Sequence, residues 1–222
     1  MRAIHAALVL LSFSAGAADA FAFLALGGIF TANMTGNLIL TGMFTRPEFG
    51  ATLVGAIVAI VAFAGVLWAG FRFTRAPSTI EVTTPRVLRR LLLPSVGLQT
   101  IAMAVWMLSP DNTALIERFV VIALAASSLA LQAVGAKKLS DVDGVTTTYV
   151  TGTLTTTMQA LAEGRGGGQV VRVLSILALP VGAVAGTAAL LVATPLGPVV
   201  AWATAVLAVG ILLLVRSRRV AA

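Results

Sequence analysis

Six apolar runs, each about as long as a bilayer's hydrocarbon core is thick, decide what this chain can become. They cover roughly 4–29, 51–71, 88–108, 114–136, 170–193 and 196–215. A helix needs about 20 apolar residues to cross a core of about 30 Å. None of the runs alternates with period 2, as the strands of a membrane barrel must. Peptide groups in lipid have to bond within their own segment, so uninterrupted apolar runs become helices. The charge content agrees. Only 10% of the 222 residues are charged and the mean hydropathy is +1.01, whereas a soluble domain needs about a quarter charged residues to clothe its surface. The sequence therefore predicts an all-α, polytopic integral membrane protein: six transmembrane helices in a single membrane domain, 1–222.

The basic residues orient it. With six spans, both chain ends lie on one side, together with the 72–90 and 137–169 segments. That side holds Arg2, Arg72, Arg75, Arg86, Arg89, Arg90, Lys137, Lys138, Arg165, Arg172, Arg216, Arg218 and Arg219, which is 13 of the 15 basic residues. Arg46 and Arg118 fall on the other side, each near an acid, Glu48 and Glu117. Lys and Arg gather in cytoplasmic loops, so the bias predicts a multi-pass protein of a bacterial inner membrane with N- and C-termini in the cytoplasm. It also explains the net charge of +7 without nucleic acid, since no aromatic residues interleave with the basic ones as a nucleic-acid surface would require. The expected partners are the lipid bilayer and a small solute or ion, with a homo-oligomer left open.

Ala18-Asp19-Ala20 after the apolar run Ala6–Phe13 has the form of a signal-peptide cleavage site. The apolar run, however, continues through Phe21, Phe23, Leu24 and Leu26 to full membrane length. A spanning helix is the better reading. Cysteine is absent, which removes disulfide and thiolate chemistry.

An internal repeat emerges at an offset of 116 residues. Gly28–Thr41 (GIFTANMTGNLILT) then aligns with Gly144–Thr157 (GVTTTYVTGTLTTT), and six of 14 positions are identical: Gly28/Gly144, Thr31/Thr147, Thr35/Thr151, Gly36/Gly152, Leu38/Leu154 and Thr41/Thr157. Each copy follows the first span of a three-helix half, 1–112 or 113–222. Three crossings are an odd number, so the second copy enters from the opposite side: two inverted three-helix repeats, a plan common in small transporters. The repeated segment is rich in Thr, Gly and Asn, and Gly27-Gly28 precedes it. Glycine weakens a helix by about 1 kcal/mol relative to alanine. Asn33 and Thr35, or Thr147 and Thr151, are capping residue types. Interrupted first helices follow as the expectation, with short half-helices through Leu38–Met43 and Leu154–Leu161. The alternative is that Thr and Gly serve close helix packing. Gly182-x-x-x-Gly186 on the fifth span reads as such a packing face.

At these residues the chain resembles the YoaK-like family, small bacterial membrane proteins built around a domain of unknown function. The resemblance rests on Gly16-Ala17-Ala18-Asp19-Ala20, on Phe30-Thr31-Ala32-Asn33-Met34-Thr35-Gly36-Asn37, on Leu131-Gln132-Ala133 and on Thr147-Thr148-Tyr149-Val150-Thr151-Gly152-Thr153-Leu154. The second half departs from the pattern, with Gln132-Ala133 standing where Gln-Asn is expected. What the resemblance implies is the architecture. It brings no activity with it.

Asp19 is the acid deep inside a predicted span, where an ionised carboxylate costs about 2.5–3.5 kcal/mol on insertion scales. Ser12, Gly16, Asp19 and Ala22 share one helix face, expected to look into the bundle. Two roles remain open for Asp19: binding a cation or proton, or bonding neighbouring Thr, Asn and Gln groups and capping a break. Gln99 and Gln132 either line the same cavity or bridge helices. Half-helix N-termini near Thr35-Gly36 and Thr151-Gly152 would offer N–H groups to an anion. If both breaks meet at mid-membrane, Asn33, Thr35, Asn37, Thr147, Thr151 and Thr153 form one polar site. A cluster of metal ligands cannot be assembled from one histidine and no cysteine, and no catalytic motif or cofactor fingerprint is present. The leading expectation is a small transporter or channel rather than an enzyme. The alternative is a membrane scaffold or accessory subunit with Thr-Gly segments as packing motifs.

Overall fold

The computed structural model describes residues 2–75, 84–109, 115–139, 150–164 and 169–220. All regular structure among them is helical. The chain runs through α1 (Arg2–Ala25), the short α2 (Met34–Leu40), α3 (Phe49–Phe73), α4 (Thr84–Val87), a π-helical turn (Leu88–Leu92) and α5 (Leu93–Leu108). It continues through α6 (Leu115–Leu139), α7 (Val150–Ala162), α8 (Gln169–Val192), a 3-10 turn (Thr194–Leu196) and α9 (Val199–Val220). Six helices are long and apolar enough to cross a bilayer. The protein is a six-span, all-α membrane protein.

Local sequence explains where the rods bend. Pro94 follows the π turn, lacks an N–H and crowds the preceding turn. The backbone widens there instead of breaking, with Leu93 N–H reaching back to the Leu88 carbonyl. Pro180 sits inside α8. α1 stops at Ala25 because Gly27 (φ 94°) and Gly28 (φ 74°) turn left-handed, a conformation that costs glycine nothing.

Two helices form the centre. In the apolar cores of α1 and α6, 61% of residues are buried inside the protein, against 22–39% in the other four spans. α1 packs most extensively on α8 and α9, and α6 on α3 and α5. The α1–α8 contact is built from small residues: a Cβ added to Gly182 would strike the Phe13 carbonyl, and one on Gly186 the Ala17 carbonyl. Gly16 sits equally close to the Leu179 carbonyl. Because 13 pairs with 182 and 17 with 186, α1 and α8 run in the same direction. Gly55 beside Ile122 and Gly70 beside Val134 give the same sense for α3 and α6. Without a hydrophobic drive in lipid, such close backbone approach is what holds helices together. Gly182-x-x-x-Gly186 is a packing face, as expected from the sequence.

Buried hydroxyls tie the outer helices to the two central ones. Ser14 on α1 donates to the Ala201 carbonyl of α9 at 2.7 Å, and Ser128 on α6 donates to the Ser95 carbonyl of α5 at 2.8 Å. Between them, Phe21 meets Trp106 edge-on, with ring centroids 4.9 Å apart. The Trp106 indole donates to the Thr194 carbonyl.

Candidate functional site

The first Thr-Gly segment is a true interruption. After Ala25 the chain leaves the helix, passes through residues 26–33 and enters α2 at Met34. The half-helix thus begins four residues before the expected Leu38 and ends at Leu40. The reason is the cap: Asn33 Oδ1 accepts the Gly36 N–H at 3.1 Å, the N-cap geometry that Asn favours. Thr35, the other expected cap, lies in the first turn with its side chain exposed.

Non-helical backbone that is shielded from water must satisfy its peptide groups within the protein. Here side chains do it. The Asp19 carboxylate on α1 accepts from three consecutive peptide N–H groups: Thr31 and Ala32 at 2.7 Å each through Oδ1, and Asn33 at 3.1 Å through Oδ2. The Thr31 hydroxyl adds a fourth bond at 3.2 Å. Asn37, 0% exposed, bonds both groups of Phe30, accepting its N–H at 2.8 Å and donating to its carbonyl at 2.7 Å. Thr52 of α3 donates to the Gly27 carbonyl, and Arg46 Nη1 donates to the Gly28 carbonyl at 3.3 Å. The Arg46 guanidinium also lies 5.5 Å above the Phe23 ring, which stacks on Phe30. The loop therefore folds back against α1 and is held by α1, α2, α3 and the connection before α3.

Chemically, this is a carboxyl group that accepts from four donors, three on Oδ1 and one on Oδ2. It meets the capping role for Asp19. The N–H groups of Met34, Gly36 and Asn37 also have partners within the segment.

Gln99 (5% exposed) and Gln132 (2% exposed) meet elsewhere, across α5 and α6, with Gln132 Nε2 3.4 Å from Gln99 Oε1. They bridge helices, though at a length that makes the bond weak. Gln132 Oε1 has no hydrogen-bond partner among the described residues. Gln99 borders a small pocket of about 20 Å³, walled mainly by Ala18, Phe21, Ala102, Val121 and Ala201. That is room for about one water.

In the second copy, α7 carries Thr151, Gly152 and Thr153 and packs against α8. Thr151 and Gly152 are exposed, and Thr153 is buried. Their carbonyls accept the hydroxyls of Thr155, Thr156 and Thr157 one turn on. Thr147 lies outside the described residues. The structure thus gathers Asp19, Asn33, Gly36 and Asn37 at one break, pairs Gln99 with Gln132, and puts Thr151, Gly152 and Thr153 on a separate helix. Sequence reasoning missed Arg46, Thr52 and the Phe30 peptide as members of the first group. Arg46 did carry a signal, as a basic residue on the sparsely charged side.

Comparison with known proteins gives the same family as the motifs. The family model described as "Protein of unknown function (DUF1275)" matches residues 7–215. The chain is 30% identical over 156 residues to "UPF0700 transmembrane protein YoaK" of Bacillus subtilis (strain 168), covering 70% of this chain and 66% of that protein. It thus spans a little under two thirds of that curated relative. No solved structure matches.

Proposed function

We propose that this chain, which belongs to the DUF1275 family of proteins of unknown function, is a small inner-membrane transporter or channel for a small solute or ion. It is read here as two inverted three-helix repeats with both termini in the cytoplasm, and as acting without enzymatic chemistry. The observation that carries the reading is the break after α1. Eight residues of irregular backbone, 26–33, persist between α1 and α2 and are anchored on a carboxylate inside a spanning helix. Irregular backbone packed against spanning helices lines binding sites in proteins that move solutes, and an acid within a span marks ion pathways.

The repeat reading draws support from element positions. Adding 116 to the bounds of α2 gives 150–156, inside α7 (Val150–Ala162), and adding it to α3 gives 165–189, overlapping α8 (Gln169–Val192). The same shift carries Gly70, which touches Val134, onto Gly186, which touches Ala17, one residue from the position that maps onto Val134. The packing also pairs off: α1 on α8 with α6 on α3, α1 on α9 with α6 on α5, and α2 on α3 with α7 on α8. In this reading the site lies between the two Thr-Gly breaks. Thr35 and Thr151 are both exposed, and in this reading they would stand at its openings.

A second reading, a non-transporting scaffold or accessory subunit, is favoured by a specific observation. The polar atoms of Asp19 and Asn37 bond groups of the first break, and the pocket beside Gln99 has room for only about 20 Å³. Reconstitution separates the two. Proteoliposomes challenged with panels of monovalent ions and small solutes should show flux that maleimide blocks in a Thr35→Cys variant of this cysteine-free chain. Folded protein that passes nothing in any arm would establish the scaffold instead.

A further inference from the structure

Three buried side-chain atoms lack a hydrogen-bond partner among the described residues: Ser12 Oγ on α1, Gln132 Oε1 on α6 and Ser175 Oγ on α8. Their residues are 0%, 2% and 3% exposed. A hydroxyl inside a helix commonly bonds the carbonyl one turn back, as those of Thr100, Thr187 and Thr204 do. Ser12 and Ser175 bond neither their own helices nor each other. Polar atoms shielded from water are costly to leave unbonded.

The packing places all three in one layer. α1 and α8 run parallel, and a Cβ added to Gly16 would lie 3.0 Å from the Leu179 Cα. One turn back from that contact, on the same two faces, stand Ser12 and Ser175. One turn further back, Leu8 of α1 and Ala136 of α6 form a buried cluster, with Val171 of α8 packed against it. α6 runs against α1, since residues 15–22 of α1 share their cluster with residues 121–133 of α6. The turn that follows Leu8, Ala136 and Val171 therefore holds Ser12, Gln132 and Ser175, each four residues on.

The layer presents three uncharged oxygens. Asp19, the acid of α1, is two turns from Ser12 and its carboxyl bonds the first break. A cation would enter without a counter-charge, at a cost inside a span. Water fits the three atoms. It can donate to Gln132 Oε1 and to one serine oxygen while accepting from the other hydroxyl, and three bonds are usual for a buried water. The Gln132 amide Nε2 is turned to Gln99, which leaves Oε1 for this bond.

We propose that Ser12, Gln132 and Ser175 form a binding site for one water molecule. The water ties the parallel α1–α8 pair to α6, and the site stands on a transporter and on a scaffold alike.

The test is water-edited solid-state NMR on the full-length chain in lipid bilayers. Water magnetisation should reach the Ser12 and Ser175 Cβ and the Gln132 side-chain amide several-fold faster than Ala17 and Leu129, which are equally buried. Ser12→Ala should slow transfer to Ser175 and Gln132, and Ser175→Ala should slow transfer to Ser12 and Gln132. Alanine suits a helix better than serine, and an otherwise unchanged spectrum shows that each variant keeps the fold. Exchanging choline chloride for sodium chloride should leave the three signals where they are. Transfer in the parent no faster than to Ala17 and Leu129 would overturn the site, whatever the variants do. A serine variant that leaves the other two residues unaffected would overturn the shared water. Sodium-dependent shifts at Ser12 and Ser175 would overturn the assignment to water in favour of a monovalent cation.

Discussion

Asn37 and Phe30 are paired as two peptide units would be: the Asn37 amide takes the Phe30 N–H at 2.8 Å and gives its own N–H to the Phe30 carbonyl at 2.7 Å. One buried side chain thereby satisfies both polar groups of a residue that no helix can serve. Asn37→Leu, similar in volume, leaves both unmade, and each unsatisfied buried group costs about 1–3 kcal/mol. Thermal or denaturant unfolding in detergent should show a loss of about 2–4 kcal/mol. Asn37→Asp, which keeps the acceptor and loses the donor, should fall between. A neutral Asn37→Leu would mean the pair does not hold the loop.

Asp19 is the harder residue to replace. Asparagine has one acceptor oxygen and would turn its amide donor toward either the Thr31/Ala32 pair of N–H groups or that of Asn33. Asp19→Asn should therefore destabilise the protein by about 2–4 kcal/mol, and amide exchange at 31–33 should accelerate while that of α6 does not. Flux measured on this variant needs that stability reading beside it. If Asp19→Asn leaves both stability and exchange unchanged, the anchoring role is lost and ion coupling becomes the better account.

The helix contacts can be tested by adding single methyl groups. Gly182→Ala drives a methyl into the Phe13 carbonyl, and Gly16→Ala drives one into that of Leu179. Each should cost about 1–3 kcal/mol through overpacking. Gly65→Ala and Gly210→Ala meet open space and should be neutral, or stabilising by up to about 1 kcal/mol through helix propensity. Unfolding midpoints for the four variants decide it. Equal effects across the set would remove the close α1–α8 approach as a source of stability.

Gln99 and Gln132 separate structure from transport. If the pair only bridges helices, Gln99→Leu/Gln132→Leu should change stability by less than about 1 kcal/mol, because two weakly joined polar groups leave together. Gln99→Leu alone should be worse, since it strands the Gln132 amide. A double variant that is stable yet loses flux would assign the pair to a solute path.

Orientation is testable because the natural chain has no cysteine. Thr45→Cys, before α3, should react with a membrane-impermeant maleimide from outside spheroplasts. Arg89→Cys, on the π turn, should react only after permeabilisation. The reverse pattern would invert the topology argued from the basic residues.

How much of this was legible in the sequence divides by range. The six spans, the break at Gly27-Gly28 and the capping residue type at Asn33 are local matters, and each was readable. The start of α2 lies four residues before the expected Leu38 because the Asn33 cap opens the helix at Met34. Gly182-x-x-x-Gly186 was readable as a packing face, but its partner residues were not.

Composition and charge order alone determined that this chain lies in a bilayer as six helices, since a helix in lipid closes its hydrogen bonds within its own segment and needs no partner to be inferred. The role of Asp19 was beyond the sequence. Its four bonds go to residues 12–14 positions ahead, and a loop of that length reaches many places. Only the tertiary fold, by turning 26–33 back against α1 and bracing it with Thr52 and Arg46, decided that this carboxylate meets peptide N–H groups. The physical reason is that irregular backbone away from water must take its partners from whatever the packing brings near.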